Sequence, residues 1–125
     1  MFEQDYVMRL IKEMVRAVLK LLFNIDTDSP STEIIKNEEE RITLEKLLNM
    51  VDEGKINEAE NQLSDLLDDK SNNGVEIAIL FYSYLNDKTE DFLEIHDFTR
   101  DEVKEGLKHV LNNYGLGGIT QSFFS

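Results

Sequence analysis

Apolar side chains recur along the opening of this chain with a period that a helix satisfies. In FEQDYVMRLIKEMVRAVLKLLF (Phe2–Phe23), Val7, Leu10, Ile11, Met14, Val15, Ala17, Val18, Leu19, Leu21 and Leu22 fall in one arc of roughly 200° at about 100° per residue. Arg9, Lys12, Glu13, Arg16 and Lys20 share the remaining face. Neither glycine nor proline interrupts the run, so one long amphipathic helix is predicted over residues 2–24. An ordinary surface helix carries an apolar stripe of only about 100° or somewhat more. The wider arc needs cover on two sides, and a chain of this size is expected to fall short of supplying it alone.

Asp26-Thr-Asp-Ser-Pro30-Ser-Thr reads as a connector, with Pro30 suited to the first turn of a helix capped by Asp28 or Ser29. Ile34, Ile35, Ile42, Leu44, Leu47, Leu48, Met50 and Val51 keep a helical period, with Glu38-Glu39-Glu40 as a solvated face. Alternatively Asn37 caps a fresh start and splits that segment in two. Gly54 breaks the pattern, and a helix from about Ile56 to Asp69 follows with Ile56, Ala59, Leu63, Leu66 and Leu67 inward. After a loop to Gly74, the run Val75–Leu85 is apolar almost all round and is expected to be central. A short helix carries Phe92, Leu93, Ile95 and Phe98. Thr99-Arg-Asp-Glu102 is a capping box that opens a helix with Val103, Leu107, Val110 and Leu111 inward, stopped near Gly115. Residues 115–125 read as a flexible tail ending in Phe123 and Phe124, which either dock into a groove or stay free. No segment alternates with period two. The expectation is one all-α domain over 1–125 with about five to six helices.

Composition narrows the function classes. A chain of 125 residues with 41% apolar and 31% charged side chains is globular and long enough for a real core. Its formal charge of −13 disfavours nucleic acid and anionic membranes and favours solubility or a basic partner. The charge is uneven: residues 1–25 carry four basic and three acidic side chains, net +1, and the rest carry nine and 23, net −14. Cysteine is absent, which excludes disulfides, thiolate metal sites and a cysteine nucleophile. Glu3 and Asp5 stand where a secretory signal needs positive charge, and charges interrupt the first helix every few residues, so neither a signal peptide nor a membrane span is expected. The expected setting is cytoplasmic.

Leu44–Leu67 resembles one tetratricopeptide-type helical hairpin, with Gly54 at the turn, Ala59 at the close-packing position, and Leu63 and Leu66 on the second helix. Met50 and neighbouring leucines replace the usual aromatic, no proline closes the unit, and no second copy follows near a 34-residue spacing. The opening helix with its acidic helical body is similar to a small family of uncharacterised proteins from Gram-positive bacteria. That resemblance implies a fold and a cytoplasmic setting, and no catalytic residue.

Candidate chemistry is sparse. Asp69-Lys-Ser71-Asn-Asn73-Gly74 imitates the start of a calcium loop, but Glu76 and Leu80 occupy positions that need an apolar residue and a bidentate carboxylate. His109 lies four residues after Glu105, a spacing open to metal, and His96 is flanked by Glu94 and Asp97; surface pairs are the plainer reading. Gly115-Leu-Gly117-Gly118 lacks the lysine and following helix of a phosphate loop. No cofactor is implied. The leading expectation is a protein–protein interaction or adaptor module, homodimeric or heteromeric, meeting its partner through Val7, Leu10, Ile11, Met14, Val15, Val18, Leu19 and Leu22, with Gly54, Ala59 and Leu63 as packing positions. The alternatives are a membrane-peripheral regulator using the basic face of the first helix, and an enzyme, which would show as a pocket where carboxylates converge with His96 or His109.

Overall fold

In a computed structural model, which describes residues 2–68 and 74–124, with side chains from Asp5 to Gln121, the described residues form helices and connecting turns, without strands. Seven α-helices follow one another: α1 Phe2–Phe23, α2 Glu38–Asp52, α3 Ile56–Asp68, α4 Gly74–Asn86, α5 Glu90–Ile95, α6 Arg100–Asn113 and α7 Gly117–Phe124. The calcium-like stretch from Asp69 to Asn73, and the side chains of Phe123 and Phe124, lie outside the described residues.

The axis of the molecule is α4. Its run GVEIAILFYSYLN buries Ile77, Ala78, Ile79, Leu80, Phe81, Tyr82 and Leu85, so the helix has no apolar face left over. Helices α1, α2, α3 and α6 pack around it. One end is tied by a buried polar joint. Asn86 Nδ2 donates to the Met8 carbonyl at 3.0 Å, and Arg100 Nη1 donates to the Asn86 carbonyl. Asn86 and Arg100 are 1% and 4% exposed, so this joint links α1, α4 and α6 out of reach of water. The guanidinium also sits at the C-terminal, partially negative end of α4. Burial lowers the Arg100 pKa, and Glu90, Asp5 and Asp87 oppose that shift.

The wide apolar arc of α1 is largely enclosed by the chain itself. Ile11, Met14, Val15, Val18 and Leu19 are buried, with α4, α6 and α7 as neighbours. Val7 and Leu10 are half-buried, whereas Leu21 is 67% and Leu22 41% exposed. Length explains the gradient: α1 has 22 residues against 13 in α4, so its ends overhang its main support.

Two expectations need correction. The segment 115–125 holds α7 rather than an irregular tail, and Ile119 packs against the core beside buried Thr120. Thr120 Oγ1 donates to Asn112 Oδ1 at 3.0 Å or to the Gly117 carbonyl at 2.8 Å, which fastens α7 to the end of α6. The helix expected to open at Pro30 does not. A 3-10 turn at Thr32–Ile34 is followed by α2, whose cap Asn37 accepts from Glu40 N at 3.0 Å. That start places Glu38, Glu39 and Glu40 in the first turn, where free amides and the helix dipole favour anions. A helix begun at Pro30 would carry the triplet mid-helix without that gain.

The remaining ends follow local rules. Thr89 and Thr99 cap α5 and α6 by accepting from Phe92 N and Glu102 N, each at 3.1 Å. After α2, Gly54 stands at φ 84°, with Gly54 N donating to the Val51 carbonyl at 2.9 Å and Lys55 N to the Met50 carbonyl at 2.8 Å. Gly115 at φ 79° closes α6 in the same way. The two glycines differ in surroundings. A Cβ on Gly54 would lie 2.3 Å from His96 Cε1, whereas one on Gly115 would meet nothing within 4 Å. Gly115→Ala should therefore cost about 1 kcal/mol, the strain of a left-handed alanine. Gly54→Ala should cost about 2–3 kcal/mol because His96 must also move. Urea unfolding of both variants checks the order.

Candidate functional site

A groove of about 530 Å³ lies between α3 and α6, over α4. Glu60, Asn61 and Ser64 of α3 form one wall, Glu102, Glu105 and His109 of α6 the other, and Leu63, Tyr82 and Val110 the apolar base. Gly106 makes the base possible: a Cβ there would lie 2.6 Å from the Tyr82 ring and hydroxyl. The lone glycine lets Tyr82, 5% exposed, fit beneath α6 with its ring edge-on to Phe81 at 5.1 Å.

The tyrosine hydroxyl donates to Glu60 Oε2 at 2.8 Å. Burial, then the Glu60 charge and that hydrogen bond, hold the Tyr82 hydroxyl well above the usual phenol range, so it acts as a donor at every physiological pH. Burial also raises the Glu60 pKa; the Tyr82 hydrogen bond opposes this and the charge of Glu102 adds to it. Among the described residues no lysine or arginine lines the groove. Glu105 does have cations beside it, with Lys104 Nζ and Lys108 Nζ each 3.8 Å from its Oε2. His109 Nε2 is 3.1 Å from Asn113 Nδ2, a hydrogen bond along α6. The groove is thus an acceptor surface with an apolar base, suited to a cationic group whose stem is greasy.

The two histidines part company. His109 reaches this groove, while His96 packs on Gly54 and on the Phe92 ring, 4.5 Å between centroids. Among the described residues no three His, Asp or Glu side chains converge to hold a metal ion. Gly54, Ala59 and Leu63 belong to the α2–α3 hairpin: Gly54 makes its turn, and Ala59 and Leu63 of α3 are buried. The α1 positions expected to meet a partner divide: Ile11, Met14, Val15, Val18 and Leu19 are core, Val7 and Leu10 are half-buried, and Leu22 is exposed. Sequence reasoning missed Glu60 and Gly106. A glycine alone in a helical pattern was the available signal; nothing distinguished Glu60 among 26 acids.

The basic face of α1 is partly occupied. Arg16 pairs with Asp28 at 2.6 Å and Asp26 at 3.4 Å, and Lys20 pairs with Asp26 at 3.5 Å. Lys20 first, and Arg16 with it, hold the Asp26 carboxyl below its ordinary range. Among the described residues no helix is long and apolar enough to cross a membrane.

Glu60 sets a pH dependence. Its raised pKa means that the folded protein holds this proton more tightly than the unfolded chain. The resulting stabilisation is present at acid pH and is lost as pH rises from the ordinary glutamate value through the raised one. Glu60→Gln keeps an acceptor for Tyr82 and removes that loss. The variant should melt a few degrees above the parent near pH 7 and level with it below about pH 4, by circular dichroism across a pH series.

A family model described as "Family of unknown function (DUF6483)" matches residues 1–115, and the chain belongs to that family. The match takes in α1 to α6 and ends before α7. No curated protein and no solved structure matches the chain.

Proposed function

We propose that this member of the DUF6483 family is a protein–protein interaction module, and that its α3–α6 groove, where Glu60, Glu102 and Glu105 converge with His109, takes a lysine- or arginine-bearing segment of a partner rather than serving catalysis. The observation that carries this reading is a groove whose described lining brings three glutamates together, one of them half-buried with its pKa raised, and among the described residues no lysine or arginine. A cationic side chain entering there would lower the cost of ionising Glu60, and its methylenes would cover Tyr82 and Leu63. The formal charge of −13 adds long-range attraction for a basic partner. The tight Gly54 turn and buried Ala59 support a tetratricopeptide-like hairpin as the scaffold that presents α3. A cytoplasmic setting belongs to the same reading. The membrane-peripheral alternative loses weight because acidic side chains already engage Arg16 and Lys20.

Fluorescence anisotropy with a labelled lysine- and arginine-rich peptide tests the proposal. Binding should weaken about tenfold or more in Glu60→Gln/Glu102→Gln, and should fall with added salt. Equal binding by parent and variant would remove the groove from consideration.

A homodimer is a second reading, favoured by Leu21 and Leu22 lying exposed one after the other at the overhanging end of α1. Sedimentation velocity at micromolar concentration should then show a dimer for the parent and a monomer for Leu21→Glu/Leu22→Glu. A parent that sediments as a monomer refutes it.

A further inference from the structure

Away from the acidic groove, the connector between α1 and α2 crosses α4 and leaves a cavity of about 290 Å³ beneath it. We infer that this cavity binds a small uncharged apolar molecule, an aromatic ring system or short alkyl chain carrying one hydrogen-bonding group. Leu44 and Leu80 floor it, Leu48 and the Tyr84 ring wall it, and Pro30 and Thr32 roof it.

Among the described residues the lining holds no charged side chain, in a chain where charged residues make up 31%. An ion is therefore disfavoured and a neutral apolar guest suits the surface. The polar groups in the lining are the hydroxyls of Ser31, Thr32 and Tyr84. That of Tyr84 is committed outward, donating to Asp52 Oδ1 at 2.7 Å, which leaves Ser31 and Thr32 for a guest's hydroxyl or carbonyl. The wall is preformed. Lys88 Nζ lies 4.7 Å from the centre of the Tyr84 ring and pairs with the same Asp52 oxygen at 2.6 Å, so the ring is held from two sides.

Size sets the guest. An apolar cavity of ~150 Å³ stays dry and admits benzene, so the larger volume here suits a bicyclic ring or a short chain. Access needs no disruption, because the cavity is partly open to solvent beside the connector, which the exposed Arg16–Asp28, Arg16–Asp26 and Lys20–Asp26 pairs hold to α1. Buried Ile35, beyond the roof, anchors the connector.

Indole is the probe, added to the full-length chain and followed by amide-resolved NMR. Saturable shifts confined to Ser31, Thr32, Leu48, Leu80 and Tyr84 are expected. Leu48→Trp fills the cavity from α2 and Thr32→Trp from the connector, and each should weaken binding about tenfold or more. If Leu48→Trp does not fold, the connector variant decides. No saturable shift up to the solubility of indole, shifts mapping elsewhere, or unchanged affinity in a folded filling variant would each overturn the inference. Glu60→Gln/Glu102→Gln leaves this site untouched, so the result is independent of the acidic groove.

Discussion

Enclosing α4 is the constraint on which the rest of this protein depends. Thirteen residues that are apolar on nearly every side cannot sit at a surface, and a chain of 125 residues must surround them with helices that are each only half greasy. Helices α1, α2, α3 and α6 take the four sides, which consumes the centre of the α1 arc. What remains exposed on α1 is set by the mismatch in length between it and α4. An apolar arc that looked like an invitation to a partner is mostly the means by which the molecule closes on its own core.

The same enclosure explains where polar groups are buried. Where α1, α4 and α6 come together, the Asn86 carbonyl at the end of α4 lies beyond the helical ladder and takes its donor from Arg100, while the buried Asn86 amide finds an acceptor in the Met8 carbonyl of α1. A buried arginine is costly, but here it satisfies a helix terminus, lies at the negative end of a dipole and has acidic neighbours in Glu90, Asp5 and Asp87.

The surface shows a different economy. Acidic side chains are used locally where a basic or amide group is near: Asp26 and Asp28 on the α1 stripe, Glu38 to Glu40 at the start of α2, Asp52 on Lys88. Glu60 departs from that habit. It faces Glu102 across a groove whose described lining brings no lysine or arginine, and it is half-buried there with its pKa raised. Excess charge held at a concave surface is what gives the interaction reading its physical content.

Helices and their ends were legible from residue order because their causes are local. Periodicity placed α1, α3, α4 and α6 to within a few residues, and Thr99, Gly54 and Gly115 marked ends that need a side-chain acceptor or a left-handed residue. Asn37 as a cap was one of two alternatives, and the acidic first turn resolves it. Tertiary structure alone decided which apolar faces meet. Periodicity states how much of a helix is greasy, but not which neighbour is long enough to cover it, so the burial of Ile11 to Leu19 and the exposure of Leu21 and Leu22 followed from packing. For the same reason Glu60, Tyr82, Gly106 and Glu102 became a site only in the folded chain, since residues from three helices must be brought together before their charge and burial acquire meaning.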